Sequence, residues 1–136
     1  RVCAPPRLRV QRHVLHELFF EALRGPGTAL SAGSVLAEAM DITYGGTKKW
    51  REQFLALAQA RGVGWVMSVH ERTSNRLVTF WVDEHHLGVP ANLRPVILLD
   101  LWEHAYLRDF GVKGRAEYAE VVLQNLDWKV IESRCK

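Results

Sequence analysis

Cysteine is scarce in this chain of 136 residues, with one near each end, at Cys3 and Cys135. Two cysteines in these positions argue against a disulfide framework and favour a reducing compartment, and neither has metal-ligand spacing. The sequence also lacks a run of about 18 apolar residues, so no membrane-spanning segment and no membrane partner are predicted. These absences exclude disulfide-rich secreted proteins and integral membrane proteins.

Acidic residues are absent from the opening of the chain, which starts at Arg1 rather than methionine and has no carboxylate before Glu17. A basic opening of this kind predicts either a removed leader, as from an organelle precursor, or a fragment of a longer chain. The expected location is intracellular, in the mitochondrial matrix or a bacterial-type cytoplasm. The formal net charge of +3 is compatible with nucleic acid or small anions and decides nothing alone.

The composition, 48% hydrophobic and 24% charged, is that of a globular protein with one core. Helical periodicity and turn residues predict helices over 8–24, 31–40, 46–61, 102–110 and 115–125. Alternating and β-branched residues on either side of the turn "ERTSN" predict a hairpin, and 95–99 a third short strand. Helices, then a small sheet, then helices indicate an α+β domain rather than regular βαβ alternation.

The stretch "ILLDLWEHAY" places Asp100 directly after a run of apolar residues, with His104 four residues later. An unpaired carboxylate at the edge of a core is costly, so a positive group is expected to face it. His16 lies on the apolar side of the first predicted helix with Phe19 and Phe20. Two imidazoles and one carboxylate suit iron, manganese or zinc, and His85 is a fourth candidate.

A simpler interpretation of these residues stays open at this point. Asp100 then caps the helix that starts near Leu101, and His104 is an ordinary half-buried histidine. His16 then forms a hydrogen bond with a neighbour inside the core. Spacing alone does not choose between this interpretation and a metal site.

The segment "PVILLDLWEHAYLRDFGVKGRAEYAEVVLQNLDW" resembles the C-terminal signature of the iron/manganese superoxide dismutase family. The family motif runs Asp, any residue, Trp, Glu, His, Ala, Tyr, and here it occupies residues 100–106. Upstream, "HELFFEAL", "VLAEAMDITYGGTKKWREQFLALA" and "GVGW" resemble further stretches of the family. The resemblance covers roughly 11–128 and implies a three-stranded antiparallel sheet flanked by helices, with the family's first helix missing.

The resemblance also implies roles for these residues. His16, Asp100 and His104 would bind one iron or manganese ion. The remaining implied positions lie around the metal or at a dimer interface; they are Glu103, Trp65, Trp102 and Tyr106. At that interface, Glu103 would reach the ligand histidine of the partner subunit. Residues 1–28 would be the remnant of an N-terminal helical hairpin domain, and 29–136 a C-terminal α/β metal-binding domain.

The reaction that the resemblance implies is the disproportionation of superoxide to dioxygen and hydrogen peroxide, with the metal alternating between its divalent and trivalent states. In the family, a glutamine or histidine in the loop before the third strand tunes the metal through an outer-sphere hydrogen bond. His85, fifteen residues before Asp100, is the candidate for that role. The chain is accordingly predicted to be an oxidoreductase.

Departures from the family pattern support a second hypothesis. The family's fourth ligand lies on a first long helix for which this sequence has no room, and His13, on the polar face, cannot replace it. The second tyrosine of the family's "HAYY" is Leu107 here. Relatives with this fold are structural subunits of the mitochondrial small ribosomal subunit. The alternatives are therefore a homodimeric dismutase, or a non-catalytic chain paired with a related one among ribosomal RNA and ribosomal proteins.

Overall fold

The computed structural model of the chain describes residues 6–85 and 93–136, with side chains from residue 12 onward. Within these residues lie six helices and three strands. In chain order they are α1 (Pro6–Glu21), α2 (Val35–Tyr44), α3 (Thr47–Ala58), β1 (Gly64–Glu71), β2 (Arg76–Asp83), β3 (Arg94–Asp100), α4 (Glu103–Phe110), α5 (Arg115–Gln124) and α6 (Trp128–Ser133). The predicted α+β class is confirmed. No helix in the described ranges is both long and apolar enough to cross a membrane.

The sheet is antiparallel, and its strand order is β2-β1-β3. β1 lies in the middle, where all but its last residue is buried, because helices cover the sheet. Trp65, at the start of β1, pairs with Asp100 at the end of β3 and with Val82 near the end of β2. The ends of three strands therefore meet at one end of the sheet.

A β-bulge interrupts the pairing of β1 with β3. Ser68 pairs with Ile97, but Val69 pairs with Pro95, so Val96 is the residue without a partner across the ladder. An extra residue of this kind bends its strand and changes the direction of the side chains that follow it. The bulge thus lies between the start of β3 and Asp100 at its end.

Most helix boundaries differ by a few residues from the predictions, and one helix was not predicted. α2 was expected to start at Ser31, but the hydroxyl that accepts from the Ala37 N–H is that of Ser34, so the helix starts at Val35. It ends at Gly45, whose φ of 75° is left-handed. α6 was not predicted, although Asp127 caps it, because six residues are too few for a helical period to show.

The core lies between the helices and the sheet. α1 packs against β3, and Leu15 and Phe19 of this helix are buried, as is Ala22 directly after it. Phe20 was expected on the same apolar side of α1, yet it is 57% exposed, because it lies at the margin of that face rather than over the sheet. α1 therefore buries only a narrow stripe of its surface.

A chain of hydrogen bonds between side chains crosses the buried side of the sheet. The Trp50 indole N–H donates to the Ser68 hydroxyl (3.1 Å), which lies 2.8 Å from the Thr79 hydroxyl. The Tyr44 hydroxyl donates to that of Thr79 (2.8 Å). Trp50 is 1% exposed, so Ser68 is the partner that satisfies its N–H.

We predict that Ser68→Ala lowers the free energy of unfolding by about 1–3 kcal/mol, because it leaves the buried Trp50 N–H without an acceptor. Urea unfolding followed by tryptophan fluorescence measures the change. The matched control is Ser133→Ala, which removes an exposed hydroxyl that donates to the Val130 carbonyl and should change stability by less than about 0.5 kcal/mol. Equal losses in the two variants would contradict the prediction.

Candidate metal centre

The structure brings together three side chains that are distant in sequence. His16 comes from α1, Asp100 from the last position of β3, and His104 from the first turn of α4. One donor atom of each lies within 4.8 Å of the donor atoms of the other two. This is the convergence that the sequence analysis predicted.

Asp100 is 2% exposed, and both of its oxygens are engaged. Oδ1 accepts a hydrogen bond from the Trp102 backbone N–H (3.0 Å), just before α4. Oδ2 lies 3.0 Å from His104 Nε2 and 3.2 Å from His16 Nε2. The helix-cap interpretation therefore accounts for one oxygen, while the other faces two imidazoles.

The backbone of α1 selects the tautomer of His16. Its Nδ1 lies 2.7 Å from the Arg12 carbonyl oxygen, which only accepts, so Nδ1 carries the proton. In the neutral ring, Nε2 then presents a lone pair to Asp100 Oδ2, which also carries lone pairs. This contact is unfavourable unless a cation, either a proton or a metal ion, lies between the two atoms.

Two of the three distances between donor atoms, those from Asp100 Oδ2, fit a metal ion. An ion about 2.1 Å from each nitrogen and oxygen donor, with angles between octahedral and tetrahedral, places adjacent donors about 3.0–3.4 Å apart. The two separations from Asp100 Oδ2 are 3.0 and 3.2 Å. The chemistry of the set, two imidazole nitrogens and one carboxylate oxygen, suits iron or manganese.

His85, directly after β2, lies beside this group. Its ring is stacked on Trp102, with centroids 4.6 Å apart, and is 5.7 Å from the His16 ring. Its Nδ1 accepts a hydrogen bond from the Trp65 indole N–H (3.0 Å), so a neutral His85 carries its proton on Nε2. Burial, followed by the neighbouring His16, lowers the pKa of His85 and favours that neutral form.

Two tryptophans, Trp65 and Trp102, lie beside His16 and His85. The Trp65 ring meets His16 edge-on at 4.9 Å, and Trp65 is fully buried. Trp102 covers His85 on one face and donates its indole N–H to the Glu84 carbonyl oxygen (3.3 Å). Together they hold the imidazoles of His16 and His85 in fixed orientations.

A cavity of about 520 Å³ opens beside the group. Its wall is mostly apolar and consists of His16, Phe19, Phe20, Leu23, Asp100, His104, Ala105, Tyr118 and Val122. The Tyr118 hydroxyl is buried and has no hydrogen-bond partner in the described part of the chain. Burial, and then the charge of Asp100, raises its pKa, so the hydroxyl stays neutral. Sequence reasoning missed Tyr118, whose only signal was its place in a predicted helix.

The other predicted positions lie around this group. Glu103 is exposed on the first turn of α4, whereas Tyr106 is 8% exposed and packs its ring 5.8 Å from that of Tyr118. His13 Nε2 lies 3.1 Å from the Glu17 carboxylate. As predicted, His13 does not join the three converging residues.

The sequence of the chain matches that of known proteins. Residues 32–134 match the sequence model of the C-terminal domain of iron/manganese superoxide dismutases. The chain belongs to this family. A manganese superoxide dismutase of Haloferax volcanii is 34% identical over 116 residues, which are 85% of this chain and 57% of that protein. An iron superoxide dismutase of Cupriavidus metallidurans is 33% identical over 123 residues, 89% of this chain and 60% of that protein.

The coverage of these dismutase-family relatives is partial. A third relative, an iron superoxide dismutase of Methanothermobacter thermautotrophicus, is 32% identical over 90% of this chain and 60% of its own length. The chain thus spans a little more than half the length of these relatives. Relatives named for manganese and for iron match it equally well, so similarity does not choose between the two metals.

Proposed function

We propose that this chain supplies the metal centre of a superoxide dismutase and binds one iron or manganese ion through His16, Asp100 and His104. The observation that supports this most directly is the position of Asp100 Oδ2, 3.0 and 3.2 Å from the two imidazole nitrogens. Family membership supplies the reaction. Two superoxide anions and two protons give one dioxygen and one hydrogen peroxide. The bound metal supplies the one-electron redox chemistry.

The protein side chains have defined parts in this proposal. Asp100 contributes the negative charge that balances the cation, and its other oxygen, bound to the Trp102 N–H, holds the carboxylate in place. The Arg12 carbonyl orients His16 so that Nε2 faces the ion. Trp65 and Trp102 exclude water from the side of the site on which His85 lies.

His85 is the proposed outer-sphere hydrogen-bond donor. Because Trp65 occupies Nδ1, the proton of the neutral ring is on Nε2, available to the substrate side of the site. A donor fixed in this way stabilises negative charge that develops on oxygen during reduction to peroxide. The lowered pKa of His85 keeps the ring neutral near pH 7.

We predict that His85→Leu lowers dismutase activity per bound metal by about 10- to 100-fold, because an outer-sphere hydrogen bond is lost. His85→Gln should retain more activity, since its amide also donates. The measurement is superoxide consumption normalised to metal content. His70→Leu is the control, because His70 is also a buried imidazole but bonds Asn75 at the opposite end of the sheet. If His85→Leu and His70→Leu are equally active, His85 does not have this role.

The proposal extends to the assembly and to the two segments of the chain. Glu103 is exposed next to His104, a position that supports its proposed contact with the ligand histidine of a second subunit in a dimer. A dimer that dissociates in Glu103→Ala, measured by sedimentation, would support the interface.

The family match begins at residue 32, which supports a division near residue 28 into an N-terminal helical remnant and a metal-binding domain.

The experiment that tests the function uses the complete gene product. The expected result is close to one iron or manganese ion per chain, by metal analysis, together with catalytic consumption of superoxide. Protein without either metal and without activity would overturn the proposal. Co-sedimentation of that protein with ribosomal particles would instead support a structural subunit with the same fold.

A further inference from the structure

Arg134, just after α6, is a buried cation far along the chain from the metal centre, at 5% exposure. Its guanidinium donates to two backbone carbonyls, that of Val96 from Nη1 (2.9 Å) and that of Leu18 from Nη2 (2.5 Å). Nη2 also lies 3.4 Å from the Glu21 carboxylate. One side chain therefore joins β3 to α1.

The two carbonyls belong to the elements that carry the proposed ligands. Val96 is the bulged residue of β3, four positions before Asp100, and has no partner across the ladder. Leu18 is in the last turn of α1, two positions after His16, where helix carbonyls attract a cation. Val96 is thus the one residue of β3 that the ladder does not pair. The guanidinium links this residue to the end of α1.

We propose that Arg134 is a positioning residue for the metal centre: by joining the Val96 bulge to the end of α1, it sets the separation between His16 Nε2 and Asp100 Oδ2. The inference rests on the proposed metal site. The separation it controls is 3.2 Å. Apart from the guanidinium and the contact between His16 and Asp100 itself, the buried side chains of α1, Leu15 and Phe19, are apolar, and apolar packing is not directional.

A guanidinium is suited to this task in a way that an ammonium is not. It is planar and presents N–H donors in fixed, divergent directions, so it can hold two carbonyls at a set distance. Lysine offers a single point charge on a flexible stem. Arg134→Lys should therefore keep the positive charge and the buried side chain, but hold the two carbonyls at only part of their wild-type separation and direction.

The test compares Arg134→Met and Arg134→Lys with Arg115→Met. Arg115 is the matched control, because its guanidinium also donates to two backbone carbonyls, those of Ala58 (2.8 Å) and Gly62 (3.0 Å), but these belong neither to α1 nor to β3. Mn²⁺ affinity is measured by titration calorimetry on the metal-free full-length protein. Urea unfolding of the same metal-free samples gives the stability of each variant.

We expect Arg134→Met to weaken Mn²⁺ binding by about 10- to 100-fold, as for other groups that orient metal ligands. Arg134→Lys should fall between that variant and the wild type, and Arg115→Met should stay within about 2-fold at a similar loss of stability. Equal affinities in Arg134→Met and Arg115→Met would overturn the proposal, since both would then reflect general destabilisation.

A second measurement does not depend on metal binding. In crystals of metal-free Arg134→Met, the separation of His16 Nε2 from Asp100 Oδ2 should exceed that of the wild type, and in Arg115→Met it should not. Wild-type protein that binds no Mn²⁺ or iron would defeat the proposed function, and this separation would still decide the role of Arg134. An unchanged separation of His16 Nε2 from Asp100 Oδ2 in Arg134→Met would overturn the proposed role of Arg134.

Discussion

Asp100→Ala is expected to abolish stoichiometric iron or manganese binding. Asp100 Oδ2 is the atom that both imidazole nitrogens approach, and in the proposed site its carboxylate would balance the charge of the cation. Loss of groups that merely orient ligands costs about 10- to 100-fold in affinity, so loss of the central carboxylate should cost more than about 100-fold. Metal analysis after purification and titration of the metal-free protein measure the effect.

The control for this substitution is Asp127→Ala. Asp127 is also a carboxylate at the start of a helix, where it accepts from the Lys129 and Val130 N–H groups, and it is not among the three converging residues. Its loss should cost about 1 kcal/mol of stability and leave metal content unchanged. Retained metal in Asp100→Ala would refute the ligand assignment and leave Asp100 as a helix cap.

Gly64→Ala is expected to reduce the free energy of unfolding by about 3 kcal/mol, because the added methyl has no space. A Cβ at this position would lie 2.1 Å from the Val82 carbonyl oxygen, on the paired strand, and 3.1 Å from the Trp81 ring. The Gly64 carbonyl also accepts from the Leu101 N–H (2.9 Å). A shift here would therefore disturb the strand ends beneath the metal centre.

The comparison variant is Gly33→Ala. Gly33 has a left-handed φ of 71°, but nothing lies within 4 Å of an added Cβ, so only the backbone cost of about 1 kcal/mol is expected. Urea unfolding of both metal-free variants gives the two values. A smaller loss for Gly64→Ala than for Gly33→Ala would show that the strands at Gly64 separate without cost.

The sheet was predictable because its signals are local. The β-branched segments of β1 and β2 flank a turn at Glu71. Its carboxylate accepts from the Ser74 hydroxyl and then from the Ser74 and Thr73 N–H groups, which lowers its pKa to about 2. The start of α2 was not predictable to the residue. Ser31 and Ser34 are equally good caps by type, and only the tertiary placement of the chain selects one.

The candidate site also has residues that the sequence could predict and contacts that it could not. Asp100 and His104 lie in one contiguous motif, and His16 follows from the resemblance of its helix, so residue types were enough to name them. The tautomer of His16 depends on the Arg12 carbonyl, and the role proposed for Arg134 depends on the carbonyls of Val96 and Leu18. Backbone carbonyls have no residue-type signature, so contacts of this kind become visible only in the folded chain.

Because α1 has only a narrow contact with the sheet, the proposed metal site would make the lifetime of the protein in the cell depend on metal supply. Few of its described side chains are buried, so an ion bound at the proposed site, between His16 and β3, would help to hold the helix against the sheet. A ligand present at a hundred times its dissociation constant adds about 2.7 kcal/mol to the state that binds it. In a cell starved of iron and manganese, the first helix would therefore detach more often and expose the chain to proteases, so metal scarcity would also lower the abundance of the protein.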